Sequence, residues 1–231
     1  MSNDMSDWRS VFLLGGIFLW GGSLWGQDFL NKPIDNKASP PAPPLIQQSG
    51  AVAYTAAFTY FPGGADPNAG PQIKELTVEK YGDLRHDVRQ WEGAPSTETW
   101  FDGLVSLEKG TDAFGTPNGI HGSQLYHPVD SFPELAWVNK GNFAGVIREG
   151  KTIDVFRLEG MTLSFGPFQF RNEEVFIYVD EETRLPLALK TAHYAVSYTY
   201  GEVPTHLELP DEYLRVYQAD QAKIEHPPLP P

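Results

Sequence analysis

The stretch FAGVIREGKTIDVFRLEGMTLSFGPFQFRNEEVFIYVDEETRLPLALKTAHYAVSYTY, residues 143–200, decides the fold. It breaks into period-2 segments rich in β-branched and aromatic residues, at 143–148, 151–159, 161–170, 174–180, 186–191 and 194–201. Short turn signals separate them, which is the signature of an antiparallel meander. Glu149-Gly150 reads as a tight hairpin turn, because glycine tolerates the positive φ such turns require. Arg171-Asn172-Glu173 reads as a further connection, and Gly166-Pro167 as a break that bulges or bends its strand.

Working upstream, the same alternation predicts strands over 54–61, 73–81, 84–91 and 98–108, with Tyr81-Gly82-Asp83-Leu84 as another turn. About ten strands are expected in all. From Gly110 to Asn142 the alternation fails, and the one element predicted there is a short helix, with Ser131 as cap, Pro133 in its first turn and Glu134 completing a capping box. Asp211 caps a predicted helix running to about Ile224, although Tyr213, Arg215 and Tyr217 also fit an edge strand.

Chemistry is less legible. The chain has 231 residues and a net charge of −13, with its few basic residues scattered singly, which argues against a nucleic-acid surface. The absence of cysteine excludes disulfides, thiolate catalysis and Cys-ligated zinc. None of the six histidines sits in a recognised motif, and a site built on His121, His127 and Asp130 matches no common metal-ligand spacing. No G-x-S-x-G elbow, phosphate loop or dinucleotide turn is present, so no catalytic residue, metal ligand or cofactor is assigned. Glu98, Asp102, Asp180, Glu181 and Glu182 are the carboxylates from which a glycosidase-type pair would have to be drawn, and a carbohydrate hydrolase is kept as an alternative on that ground. Arg85, Asp87 and Arg89 share one face of their strand, as expected where that face meets solvent.

The aromatic pattern is more informative. Tyr54, Phe58 and Tyr60 share one strand face, and Tyr194, Val196, Tyr198 and Tyr200 share another. These seven are the candidate lining of an apolar ligand site on a curved sheet, against the plainer reading of an ordinary aromatic core.

The termini bear on location. Ser10 to Gln27 is uncharged and 18 residues long, about 27 Å as a helix at roughly 1.5 Å per residue, which just reaches across a hydrocarbon layer of roughly 30 Å. It is read as a retained single-pass anchor or as a cleaved signal peptide, and both place the rest of the chain outside the cytoplasm, on the periplasmic side. Gly22 and Gly26 form a G-x-x-x-G spacing that would let a partner helix approach closely, as in an accessory subunit of a membrane-protein assembly. Residues 28–50, with Pro40, Pro41, Pro43 and Pro44, read as an extended spacer lifting the domain off the bilayer. The expected organisation is therefore anchor or signal 1–27, linker 28–50, β domain 51–210, and helix with a Pro-rich tail 211–231. Only −1 of the net charge falls on residues 1–26, so the acidity belongs to the exported part.

Val175 to Tyr200 resembles the late strands of the LolA-like lipoprotein-carrier superfamily, in which a strand ends in a V-D-x-E-T-x-L-P-L turn, here Val179-Asp180-Glu181-Glu182-Thr183-Arg184-Leu185-Pro186-Leu187. The hairpin GVIREGKTIDVFRLEG and the pair TVEKYGDLRHDVRQW are similar to that family's strand order, so the resemblance spans roughly Val52 to Val203. It implies a curved, incomplete β-barrel, open on one side and partly plugged by helices, whose members bind acyl chains or act as envelope sensors without enzymatic activity. It assigns no individual functional residue beyond the turn. The expected fold class is mainly β: a curved antiparallel sheet or incomplete β-barrel of about ten strands with one or two short helices, preceded by an N-terminal hydrophobic helix.

Overall fold

A computed structural model describes residues 28–63, 71–103, 105–111, 117–124 and 130–225. Eleven strands follow one another: β1 (Ala51–Tyr60), β2 (Ile73–Tyr81), β3 (Leu84–Trp91), β4 (Thr97–Asp102), β5 (Val105–Thr111), β6 (Pro117–Gln124), β7 (Phe143–Glu149), β8 (Lys151–Phe165), β9 (Phe168–Asp180), β10 (Pro186–Lys190) and β11 (Tyr194–Tyr200). One helix, α1 (Asp211–Glu225), follows them, and 3-10 turns occupy Asp28–Asn31, Pro133–Leu135 and Lys140–Asn142. The strands form a single sheet in the order β6-β5-β4-β3-β2-β1-β11-β10-β9-β8-β7. Every neighbouring pair is antiparallel. The sheet does not close, and β6 and β7 are its edges.

The sheet departs from the expected ten strands at three places. The predicted strand 98–108 is two strands, because Gly103 at φ +54° turns the chain back so that Asp102 pairs with Val105. β6 carries no alternation and was not expected at all. The predicted breaks near Gly160 and Asn172 are not turns. They lie opposite one another, at φ +67° and +52°, and bulge one long hairpin where its register shifts between Leu158 and Thr162. The real turn is Gly166-Pro167, with Phe165 paired to Phe168.

That bulge accounts for the curvature. Phe168 on β9 and Phe58 on β1 are three strand positions apart, roughly 14 Å in a flat sheet at about 4.8 Å per strand. Their ring centroids are 5.5 Å apart. At the hairpin tip, a Cβ on Gly166 would lie 3.6 Å from Nη2 of Arg89 on β3. The distal half of the β8–β9 hairpin therefore crosses the concave face. The core collects beneath it, with Leu76, Val78, Phe156, Ile177, Leu189 and Val196 fully buried.

Two chain segments cover the convex face. α1 lies over β3 to β6, where Tyr213 joins Trp100, Val105 and Leu107. The N-terminal segment lies over β7 to β11, where Leu30, flanked by Phe29 and Ile34, packs against Ile147, Val155, Tyr178 and Ala188. Lys190 Nζ and the Tyr178 hydroxyl both donate to the Leu30 carbonyl, at 3.1 and 3.4 Å. The segment then bonds to the β7 edge, with Asp35 N donating to Val146 O at 2.8 Å and Val146 N to Asp35 O at 3.1 Å. Beyond it, Ile46 enters the concave core. The Pro-rich linker is thus not a free spacer. Its few apolar residues find complementary surface on both faces, and burying them holds the segment against the sheet.

Gly145 is what lets the linker reach that edge. It sits at φ +138°, and a Cβ there would overlap the Asp35 carbonyl and lie 2.7 Å from Ile34 Cγ2. Gly145→Ala is expected to cost about 1–3 kcal/mol and to release residues 32–46. Limited proteolysis should then cut within that segment under conditions that leave the unaltered protein whole. Equal resistance and an unchanged denaturation midpoint would contradict this account.

Candidate functional site

Side chains alternate across each strand, and β1 and β11 pair in register with Tyr54 opposite Tyr200, Phe58 opposite Val196 and Tyr60 opposite Tyr194. The seven predicted lining residues therefore come together on one face. Tyr54, Tyr194, Val196 and Tyr198 are buried in a single cluster, and Phe58, Tyr60 and Tyr200 pack against it half-buried. Gly22 and Gly26 lie outside the described residues.

The face is covered by irregular chain. Leu45 and Ile46 lie over it together with a strap formed by residues 130–138. Phe132 anchors the strap, stacked on Tyr54 at 5.1 Å and edge-on to Tyr198 and Tyr200 at 6.2 and 6.4 Å. The expected capping box does not form. The turn is 3-10, its cap residue is Phe132, and no side chain caps it. Ser131 instead stitches the two covering segments together, its hydroxyl donating to Ser49 O at 3.1 Å and its amide to Gln48 Oε1 at 3.1 Å.

Beneath the strap is a buried polar network that was not legible in the sequence. Arg85 and Asp87 were expected on a solvent face, but each is 1% exposed. The period-2 reading was right that they share a face, but that face is the concave one, and Leu84, His86 and Val88 are on the half-buried convex side. Arg85 Nε and Nη2 donate to Asp87 Oδ1 and Oδ2 at 2.6 and 3.1 Å. Its Nη1 donates to the carbonyls of Asp130 and Ser131 at 3.0 and 3.1 Å. A guanidinium fork thus joins a carboxylate on its own strand to the strap backbone. Burial pulls the Arg85 pKa down, but the adjoining Asp87 outweighs it and keeps the group charged. The Tyr54 hydroxyl adds a bond to Ser131 O at 3.3 Å.

Glu134 completes the network from the strap side and is 0% exposed. Its Oε1 accepts from the Tyr198 hydroxyl at 2.9 Å, while its Oε2 has no hydrogen-bond partner among the described residues. Burial pushes its pKa up to about 7, against the opposing pull of Arg85 and of the Tyr198 hydrogen bond. Lys80, also buried, donates to Ser49 O at 3.3 Å and Gly82 O at 2.7 Å, and burial lowers its pKa.

No protein-family model matches the sequence, and no curated protein matches it.

Of the remaining predicted acids, Glu181 and Glu182 are exposed, and Asp180, Glu98 and Asp102 are held by neighbouring groups. Asp180 Oδ1 accepts from the amides of Glu182 and Thr183 at 3.1 and 2.9 Å and from the Thr183 hydroxyl at 3.1 Å. Its Oδ2 accepts from Lys151 at 2.9 Å. Burial alone would raise the Asp180 pKa, but these bonds prevail and lower it. The aspartate and threonine of the V-D-x-E-T turn therefore have a structural task, since an Asx-type turn fixes the β9–β10 reversal. Glu98 on β4 accepts from Trp100 Nε1 at 2.7 Å and faces His86 Nε2 at 3.1 Å, six strand positions from β9. Asp102 sits at the end of β4, where burial raises its pKa against a bond from Tyr217. His127 lies outside the described residues. Among the described residues, no helix is long and apolar enough to cross a membrane.

Proposed function

We propose that this chain is a non-enzymatic, exported or membrane-anchored β domain that holds an apolar, acyl-type ligand between the aromatic face of β1 and β11 and the strap, in the manner of LolA-like proteins. One observation carries the reading. An aromatic face continuous across two strands is covered at its Phe58 end by the distal half of the β8–β9 hairpin and elsewhere by two irregular segments, fastened at their polar atoms to Arg85, Tyr54, Tyr198 and Lys80. A core intended to stay shut needs only apolar packing. Fastening its cover through discrete hydrogen bonds, each worth about 0.5–1.5 kcal/mol net, suits a cover that is displaced and re-seated as one unit. The open eleven-stranded antiparallel sheet and the Asx-built turn at Asp180 are in keeping with the resemblance. Export is proposed on residues 10–27, with the chain crossing the membrane once or losing that segment.

The test is uptake of a fluorescent long-chain fatty-acid probe by delipidated full-length protein. Saturable binding at one site, competed by unlabelled fatty acid, is expected. The absence of saturable uptake at both acidic and mildly alkaline pH would overturn the reading.

A further inference from the structure

We propose that the strap is a proton-operated cover, seated on the aromatic face while the Glu134 carboxyl holds a proton and lifted when that proton is lost. This rests on reading residues 130–138 as the cover of a ligand face. The geometry points to Glu134 because, of the two carboxyls in the strap, it is the one sent into the core, while Asp130 is exposed. Its surroundings are unsuited to an anion. Tyr54 faces it from β1, and Tyr194, Tyr198 and Tyr200 face it from β11. From β3 come Arg85 and Asp87. The one cation in this set already holds the Asp87 carboxylate through two bonds and two strap carbonyls through Nη1. Charge on Glu134 therefore adds a second carboxylate to a site with one guanidinium, and Asp87 acts on it as a like charge.

One Glu134 oxygen keeps the Tyr198 hydroxyl, and the other has no partner among the described residues, so an ionised carboxylate leaves a charged oxygen buried and unsatisfied. Swinging the strap outward solvates that oxygen. The same movement breaks the bonds of Arg85 and Tyr54 to the carbonyls of Asp130 and Ser131, so the cover lifts as a unit. The sign follows from the carboxyl being pushed up in the closed form, from its ordinary 4.5 to about 7. The closed form holds the proton more tightly than the open form. Closure is favoured fully below the open-state value and is progressively lost as pH rises through the closed-state value.

Amide hydrogen exchange of the full-length, ligand-free protein, corrected for the intrinsic pH dependence of exchange, reads this directly. Between pH 5 and pH 8, protection of peptides covering 131–138 is expected to fall by about a hundred-fold, while β9 to β11 keep theirs. In Glu134→Gln the strap should stay protected across the range. Tyr198→Phe removes the side-chain donor to the carboxylate and should move the transition to higher pH, which keeps the test decisive if the glutamine variant folds poorly. Strap protection that does not change with pH, or a transition at the same pH in both variants as in the unaltered protein, would overturn the device. No probe enters this measurement, so a flat profile with normal fatty-acid uptake removes the proton device alone. An intact pH step without uptake upholds the device and removes the ligand reading.

Discussion

Replacing Arg85 with alanine is expected to cost about 3–5 kcal/mol of folding stability. The figure is not the worth of the Arg85–Asp87 pair. It is the consequence of leaving the Asp87 carboxylate, 1% exposed, in an apolar interior without its guanidinium. Replacing both partners with apolar residues of similar volume, Arg85→Met with Asp87→Leu, should restore most of the loss, because desolvating the pair offsets much of its Coulombic gain. Strap tethering separates the two functions of the arginine. The double variant regains global stability in urea denaturation, yet residues 130–138 remain poorly protected from exchange, since the guanidinium no longer reaches the Asp130 and Ser131 carbonyls and only the longer Tyr54 bond to Ser131 is left. A single-variant loss below about 1 kcal/mol, or full strap protection in the double variant, would show that the fork does not hold the strap.

Phe132→Ala is expected to have an effect of similar size but different distribution. Truncating a buried phenylalanine costs about 3–5 kcal/mol, and here the ring is the strap's stacked contact with Tyr54 and its edge contact with Tyr198 and Tyr200. The strap is a local element on a sheet held by its own ladder, so the loss should fall on the equilibrium between seated and lifted strap. Protection at 131–138 should drop toward that of an exposed loop, fatty-acid uptake should become faster, and the global midpoint should shift much less than the local loss suggests. A global midpoint lowered by the full amount, with strap and sheet losing protection together, would instead make the strap an inseparable part of the core.

Most strands were legible because one face of an antiparallel sheet is apolar and writes a period of two into the sequence. Tyr194 to Tyr200 and Ile73 to Tyr81 show it plainly. β6 was not legible: PNGIHGSQ is an edge segment whose two glycines and proline carry no alternation. The aromatic face was found because β1 and β11 each carry it within one short strand. The Arg85–Asp87 network was missed for a physical reason. Alternation tells which residues share a face but not which face is the interior, and the convex side here is also half-buried under α1 and the N-terminal segment. Glu134 was noticed as a helix-capping residue. Its actual role depends on Tyr198, 64 residues away, and no local pattern reports that contact. The linker misled through its composition, since five prolines conceal how few apolar side chains suffice to seat a segment.

The seated linker changes what happens at the boundary with residues 1–27. The docked turn begins at Asp28, so a membrane-spanning helix ending at Gln27 would hand over to packed structure within one residue, about 3.5 Å of chain. There is then no hinge. The domain would ride against the bilayer at a fixed tilt, and any opening for a ligand would face a constant direction instead of sweeping through the surrounding space. Severing the chain after Gly26 would free the domain and leave a single residue ahead of the turn, with Leu30, Ile34 and Ile46 still in place. Were the chain exported, the choice between a tethered domain and a diffusing one would then be made by whichever protease meets the junction.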